Sequence, residues 1–334
     1  MNGMSSAPQD WMSPEIVEVV KSATVFLKVD TGFRSRTGSA FVLKRDGNLI
    51  HLVTNEHVIR AAEPAAALFE AVFFSGTPLE RRVRAEIAGS DPYRDLAILK
   101  AEMENPPSPL ELVSSGDLRE LLPVFIFGFP FGRSLSMTDA NPSVTITKGH
   151  ISKILPNEYG EPARIQIDGH INRGNSGGPV VDSQGRVVGI ATESVKKAGI
   201  GLAIPVTEIR EMLAGRVLNT RMMPLETGAE FSDVFVCAEV GAPLGSFREV
   251  SVLLTPWERV ISFPSPDDKG LWPALPNARE YALAIRGRYA VRGIRFDRKH
   301  LARELVFLLQ IRYVRADGQV RFTQPGDFRV HFSN

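Results

Sequence analysis

Residues 171–190 read INRGNSGGPVVDSQGRVVGI, which sets one serine, Ser176, among glycines on a tight turn and follows it with two apolar runs split by a Ser-Gln-Gly turn. A serine hydroxyl is a poor nucleophile at neutral pH, so it needs a neighbouring base to take its proton and donors to hold the oxyanion that forms. Gly174 lets the backbone bend so that its own N–H and that of Ser176 can point into one small space, as an oxyanion hole demands. Gly177 and Gly178 are expected to leave room for substrate.

The base should be a histidine, and the chain has six: His51, His57, His150, His170, His300 and His331. His57 stands at the end of LIHLVTNEHVI, where Leu49, Ile50, Leu52 and Val53 read as a buried strand ending at a Thr54-Asn55-Glu56 turn. The third member must be a carboxylate that accepts from the other imidazole nitrogen and fixes its tautomer. Asp95 in DPYRDLAILK abuts an apolar strand, where an acid is costly to bury without a partner such as a histidine N–H. The order along the chain is then His, Asp, Ser, which is that of the chymotrypsin-type double barrels and not of the subtilisins or the α/β-hydrolases. GNSGG also fits the G-x-S-x-G elbow of the α/β-hydrolases, but that elbow requires a helix after the serine, and Val180-Val181, Ser183-Gln184-Gly185 and Val187–Ile190 are hairpin chemistry.

Seven strings then carry a family resemblance: TGSAFVL at 37–43, VTNEHVI at 53–59, DPYRDLAILK at 91–100, FGFPFG at 127–132, VTITKGHISKI at 144–154, IQIDGHINRGNSGGPVVDSQGRVVGI at 165–190 and IGLAIP at 200–205. In order and spacing they resemble the disulfide-free, bacterial trypsin-like peptidases of the HtrA/DegP type over roughly residues 15–215. The resemblance implies a chymotrypsin-like double β-barrel in which His57 is the general base, Asp95 its orienter and Ser176 the nucleophile, with Gly174 and Ser176 forming the oxyanion hole. It also implies that His170, six residues before the nucleophile, lies at the floor of the primary pocket, and that Thr192, Glu193 and Ser194 offer edge hydrogen bonds to an extended peptide. His170 is not an acid, which argues against a preference for Lys or Arg. Thr192 is also placed to bond Asp95. Arg173 departs from the family, where proline is usual at that position in the oxyanion loop. Activity is expected to depend on the loops around Ser176 and on ESVKKAG at 193–199, a hypothesis that an already inward-facing Gly174 N–H would oppose.

Length fits two domains: a flexible start at 1–14, a peptidase domain at 15–217, and an accessory domain at 222–334. PEIVEVVKSATVFLKV reads as a short amphipathic helix leading into the first strand, and VTEIREMLAGRVL as a closing helix with Val206, Ile209, Met212 and Leu213 on one face. A net charge of +1 gives no electrostatic reason for a nucleic-acid partner. No run reaches the ~18 apolar residues of a membrane span, so no membrane partner is expected. Six scattered histidines and one cysteine offer no metal-ligand spacing, and neither a metal nor another cofactor is expected. Cys237 in DVFVCAEV reads as a small buried residue; with no disulfide and no recognisable leader, a cytoplasmic location is expected.

Residues 222–334 alternate as strands, DVFVCAEV, REVSVLLTPW, YALAIRGRYAV, ELVFLLQIRYV, QVRFTQ and FRVHF, around a proline-rich connection, and a β-sandwich-like domain is expected. The glycine-rich carboxylate loop and helix of a PDZ module, which HtrA proteins carry here, are not found. Three functional classes follow: a serine endopeptidase acting on a protein or peptide substrate, with residues 222–334 recruiting substrate or a protein partner; an inactive peptidase fold used as a binding module; and an HtrA-like protein that binds and cleaves unfolded chains, which the missing PDZ module disfavours.

Overall fold

The computed structural model describes residues 11–30, 35–60, 68–130, 132, 140–157, 161–195, 199–227, 231–245, 247–267, 270–297 and 304–331. The chain divides into two compact units, residues 1–158 with 162–210 and residues 159–161 with 211–334.

In the first unit the entry helix α1 (Pro14–Ala23) starts where Ser13 caps it, its hydroxyl accepting from the Ile16 N–H at 3.4 Å, and where Pro14 supplies the fixed φ of a first helical residue. Six strands follow: β1 (Thr24–Asp30), β2 (Ser35–Asp46), β3 (Leu49–Thr54), β4 (Leu68–Phe73), β5 (Arg81–Asp91) and β6 (Leu96–Glu102). They close into an antiparallel barrel in the order β1-β2-β3-β6-β5-β4. Leu27, Val42, Leu52, Phe73 and Leu99 are fully buried on the face that the strand register turns inward, because a barrel turns one side of each alternating strand inward.

The second barrel is built from β7 (Pro123–Gly128), β8 (Thr145–Pro156), β9 (Pro162–Ile167), β10 (Pro179–Val181), β11 (Val187–Val195) and β12 (Ile200–Pro205), closed in the order β10-β11-β12-β9-β8-β7. Val124, Ile126, Ile151, Ile165, Ile167, Val180 and Val188 fill its core. The β10–β11 hairpin turns on Asp182, whose carboxylate accepts from the N–H groups of Gln184 and Arg186 at 2.9 Å, with Gly185 at φ +78°. A hairpin, not a helix, therefore follows Ser176, and the α/β-hydrolase reading falls. Helix α2 (Glu56–Ile59) follows β3, and helix α3 (Val206–Ala214) follows β12.

The second unit is a two-sheet β-structure, as expected. One sheet runs β13 (Arg216–Thr227), β14 (Phe231–Gly241), β18 (Tyr289–Asp297), β17 (Ala284–Arg286), and the other runs β16 (Arg279–Ala282), β15 (Glu249–Pro256), β19 (Glu304–Val314), β20 (Val320–Phe322), with β21 (Gly326–His331) also on β19. Val234, Val236, Ala238 and Val240 from one sheet and Val250, Val252, Leu254, Leu309 and Ile311 from the other share a core. Cys237 has the opposite parity on β14, so it is half-buried outside that core, and burial pushes its thiol pKa up. That corrects its reading as a core residue.

Candidate active site

His57 sits in the four-residue turn of helix α2 (Glu56–Ile59), which begins where β3 ends. Asp95 immediately precedes β6, the neighbour of β3 in the barrel, so strand pairing alone brings the two residues together. The imidazole Nδ1 lies 3.0 Å from Asp95 Oδ1 and 2.8 Å from Oδ2, and the backbone N–H of His57 donates to Oδ1 at 2.8 Å. Asp95 adopts φ +57°, a left-handed conformation uncommon for a side-chain-bearing residue. Asn55 holds it there, its Nδ2 donating to the Asp95 carbonyl at 3.0 Å.

Burial pulls the Asp95 pKa upward, but hydrogen bonds from the His57 ring and backbone N–H, the His57 charge and the Thr192 hydroxyl outweigh it and hold the carboxyl below its ordinary value. An ionised carboxylate can only accept, so Nδ1 must carry the proton of a neutral imidazole and Nε2 keeps a lone pair. That is the tautomer a general base requires.

Thr192 reaches Asp95 through an irregularity in β11. The pairing with β12 steps from Ala191↔Ala203 to Ser194↔Gly201, so two residues of β11 oppose Leu202 alone. A bulge of this kind re-aims side chains. Here the Thr192 side chain is buried and its Oγ1 donates to Asp95 Oδ2 at 2.9 Å.

Ser176 follows one turn and sits at the second position of another, closed by the Gly178 N–H on Asn175 O at 2.8 Å. Asn175 N–H donates to Asn172 O, and Gly174 at φ +101° occupies the third position of that turn, as a type II turn requires. Type I and type II turns differ in the facing of the central peptide, so the sign of this angle decides which way the Gly174 N–H points. Among the described residues, neither that N–H nor the N–H of Ser176 has a protein acceptor. Ser39 anchors the loop: its hydroxyl donates to Gly174 O at 2.6 Å and accepts from Phe129 N–H, while its own N–H donates to Ser176 O at 2.9 Å.

Gly177 and Gly178 do not face an open substrate channel. A Cβ on Gly177 would stand 2.0 Å from Ser39 O, and one on Gly178 would stand 2.1 Å from Phe127 O. The glycines let the nucleophile turn wedge between a strand of each barrel, which corrects the expectation that they make room for substrate.

The Ser176 hydroxyl donates to the Thr192 carbonyl at 2.6 Å. No hydrogen bond joins it to His57 among the described residues. Staggered rotamers exchange readily at a half-exposed side chain, and catalytic hydrogen bonds often tighten only around substrate. His170 is exposed, its ring edge 3.7 Å from the position a Gly199 Cβ would take. Arg173 is exposed. Glu193 and Ser194 are described in backbone only, on β11, and residues 196–198 of the proposed regulatory loop lie outside the described residues, as does His300. Of the remaining histidines, His51 is buried on β3 and His150 faces Asp168 at 3.4 Å. Asn55 and Ser39 are the functional residues that sequence reasoning missed; both stood inside quoted strings, yet only the tertiary contacts reveal their targets.

Two closed antiparallel six-stranded barrels, with His57 and Asp95 on loops of one and Ser176 on a turn of the other, define the trypsin-like class of peptidase folds. The family model described as a trypsin-like peptidase domain matches residues 38–190. Within that class this chain is similar to serine proteases of the HtrA/DegP type. It is 31% identical over 186 residues to the serine protease Do-like HtrA of Bacillus subtilis, covering 53% of this chain and 38% of that protein. It is 33% identical over 201 residues to the chloroplastic Protease Do-like 5 of Arabidopsis thaliana, covering 57% of this chain and 58% of that protein. The solved crystal structure of Deg5 is 28% identical with a TM-score of 0.48, over 59% of this chain and 89% of that one. The chain thus spans between about two fifths and three fifths of the length of these two curated relatives.

Proposed function

We propose that the chain is a serine endopeptidase that cleaves protein or peptide substrates through an acyl-enzyme. The observation that carries this reading is the His57–Asp95 pair, held by three hydrogen bonds and linked through Thr192 to a serine on a glycine-bounded turn. In the proposed cycle Ser176 rotates from the Thr192 carbonyl toward Nε2 of His57, gives up its proton there and attacks the scissile carbonyl. The Gly174 and Ser176 N–H groups receive the oxyanion, and the imidazolium, steadied by Asp95, then protonates the leaving amine. Water repeats the sequence on the acyl-enzyme.

The proposal extends to the second unit as a recruiter of substrate or of a protein partner, and to a reducing, cytoplasmic setting. What supports the latter is a single cysteine with no possible internal disulfide. Among the described residues no helix is long and apolar enough to cross a membrane.

One observation favours a binding module on an inactive fold, namely that the Ser176 hydroxyl is engaged by Thr192 and not by the imidazole. Casein digestion together with fluorophosphonate labelling of the wild type and of Ser176→Ala separates the two. Cleavage and labelling that both vanish in the variant support the peptidase. A wild type that neither cleaves nor labels supports the binding module.

A further inference from the structure

A cavity of about 280 Å³ opens beside the His57–Asp95 pair, lined by His57, Arg60, Pro92, Tyr93, Asp95, Arg164, Thr192 and Leu202. It lies below the ~300–1,000 Å³ usual for small-molecule sites and suits a single side chain better than a free ligand. Two cations face it, and they differ. Arg60 is already paired with Glu56 through both Nε and Nη2. Among the described residues Arg164, half-buried on β9, donates only to the carbonyl of Ala163 at 3.1 Å, and no carboxylate neutralises it. The Asp95 carboxylate also faces the cavity, but the His57 ring and backbone and the Thr192 hydroxyl take up its oxygens. The hydrogen-bond donors left unspent at the cavity are therefore those of the Arg164 guanidinium.

The cavity also has a direction. Beyond Ile190, β11 pairs with β12 on one side, and residues 193–195 have no strand on the other among the described residues. An extended peptide added to that edge, with its reacting carbonyl at Ser176, runs away from Thr192 on the acyl side, and its side chains alternate between two faces. One of them comes over the cavity mouth between His57 and Arg164. A guanidinium there offers a carboxylate a charge-assisted, planar pair of donors that an amide of equal size does not match.

We propose that Arg164 makes this cavity a subsite for an acidic residue, Asp or Glu, at the second to fourth position before the cleaved bond. The proposal rests on the peptidase reading above, and the test keeps the two apart. A positional-scanning library of fluorogenic decapeptides is cleaved by the full chain, by Arg164→Gln and by Arg164→Glu. Expected is a preference for Glu over Gln at one of those positions on the order of tenfold in kcat/KM for the wild type. The ratio falls toward one in Arg164→Gln, and in Arg164→Glu the preference passes to Lys. Wild-type cleavage with no acidic preference, or a preference that survives Arg164→Gln, overturns the proposal. The same decapeptides are bound to Ser176→Ala by fluorescence anisotropy, which needs no turnover. Tighter binding of Glu than Gln peptides that is lost on adding Arg164→Gln supports the subsite even if the wild type cleaves nothing; equal binding overturns it.

Discussion

Thr192 does two things at once at the candidate site, its hydroxyl holding Asp95 and its carbonyl holding Ser176. Thr192→Val removes only the first. Loss of one charge-assisted hydrogen bond should lower kcat/KM about tenfold, and Thr192→Ser should restore most of it, as steady-state peptide hydrolysis would reveal. An effect of Thr192→Ser as large as that of valine would mean packing, not the hydroxyl, matters. Asp95→Asn exchanges an acceptor-only group for one that can also donate, so the imidazole tautomer is no longer fixed, and a loss of about 10⁴-fold in kcat is expected. The same residue leaves a mark on stability. Its folded pKa lies below the ordinary 3.8, so the stabilisation from its ionised form is present above that value and lost as pH falls through the lower folded one. Urea midpoints of the wild type should therefore drop more steeply than those of Asp95→Asn as the pH falls below 3.8.

At the scale of elements, the nucleophile turn is defined by what its glycines touch. Gly177 combines φ +88° with a Cβ direction blocked by Ser39 O and the Thr54 hydroxyl at 2.3 Å. Gly177→Ala should cost about 3 kcal/mol or more in stability, read by thermal denaturation, because backbone cannot move aside as a flexible side chain can. β3, the start of β6 and the hairpin after Ser176 were legible in the sequence as short apolar runs between turn residues, and so was the entry helix. β13 was not, since Pro224 and the polar RVLNTRMM pattern argue against a strand. Pro224 is tolerated because β13 is a sheet edge with a register shift at Pro224/Glu226. YALAIRGRYAV read as one strand but forms three, because the chain changes sheets at buried Leu283 and then turns at Gly287, φ +59°. Periodicity shows which residues are apolar; it does not show which sheet each will join. The same limit hid the bulge at Thr192, which exists only relative to β12.

For the whole molecule, the His57–Asp95 pair was legible because chain order and residue chemistry narrowed six histidines to one, and strand pairing then set His57 against Asp95. The roles of Asn55 and Ser39 were not, since each acts on a residue 40 or 135 positions away through a contact that local pattern does not encode. The central claim is that imidazole, carboxylate and hydroxyl form one working nucleophile. Its most direct measurement is fluorophosphonate labelling of the full chain, with the modified residue located by mass spectrometry. A single adduct on Ser176, absent in Ser176→Ala and strongly slowed in His57→Ala, is expected; a wild type that labels no faster than Ser176→Ala, or that labels elsewhere, would show that the three side chains do not act together.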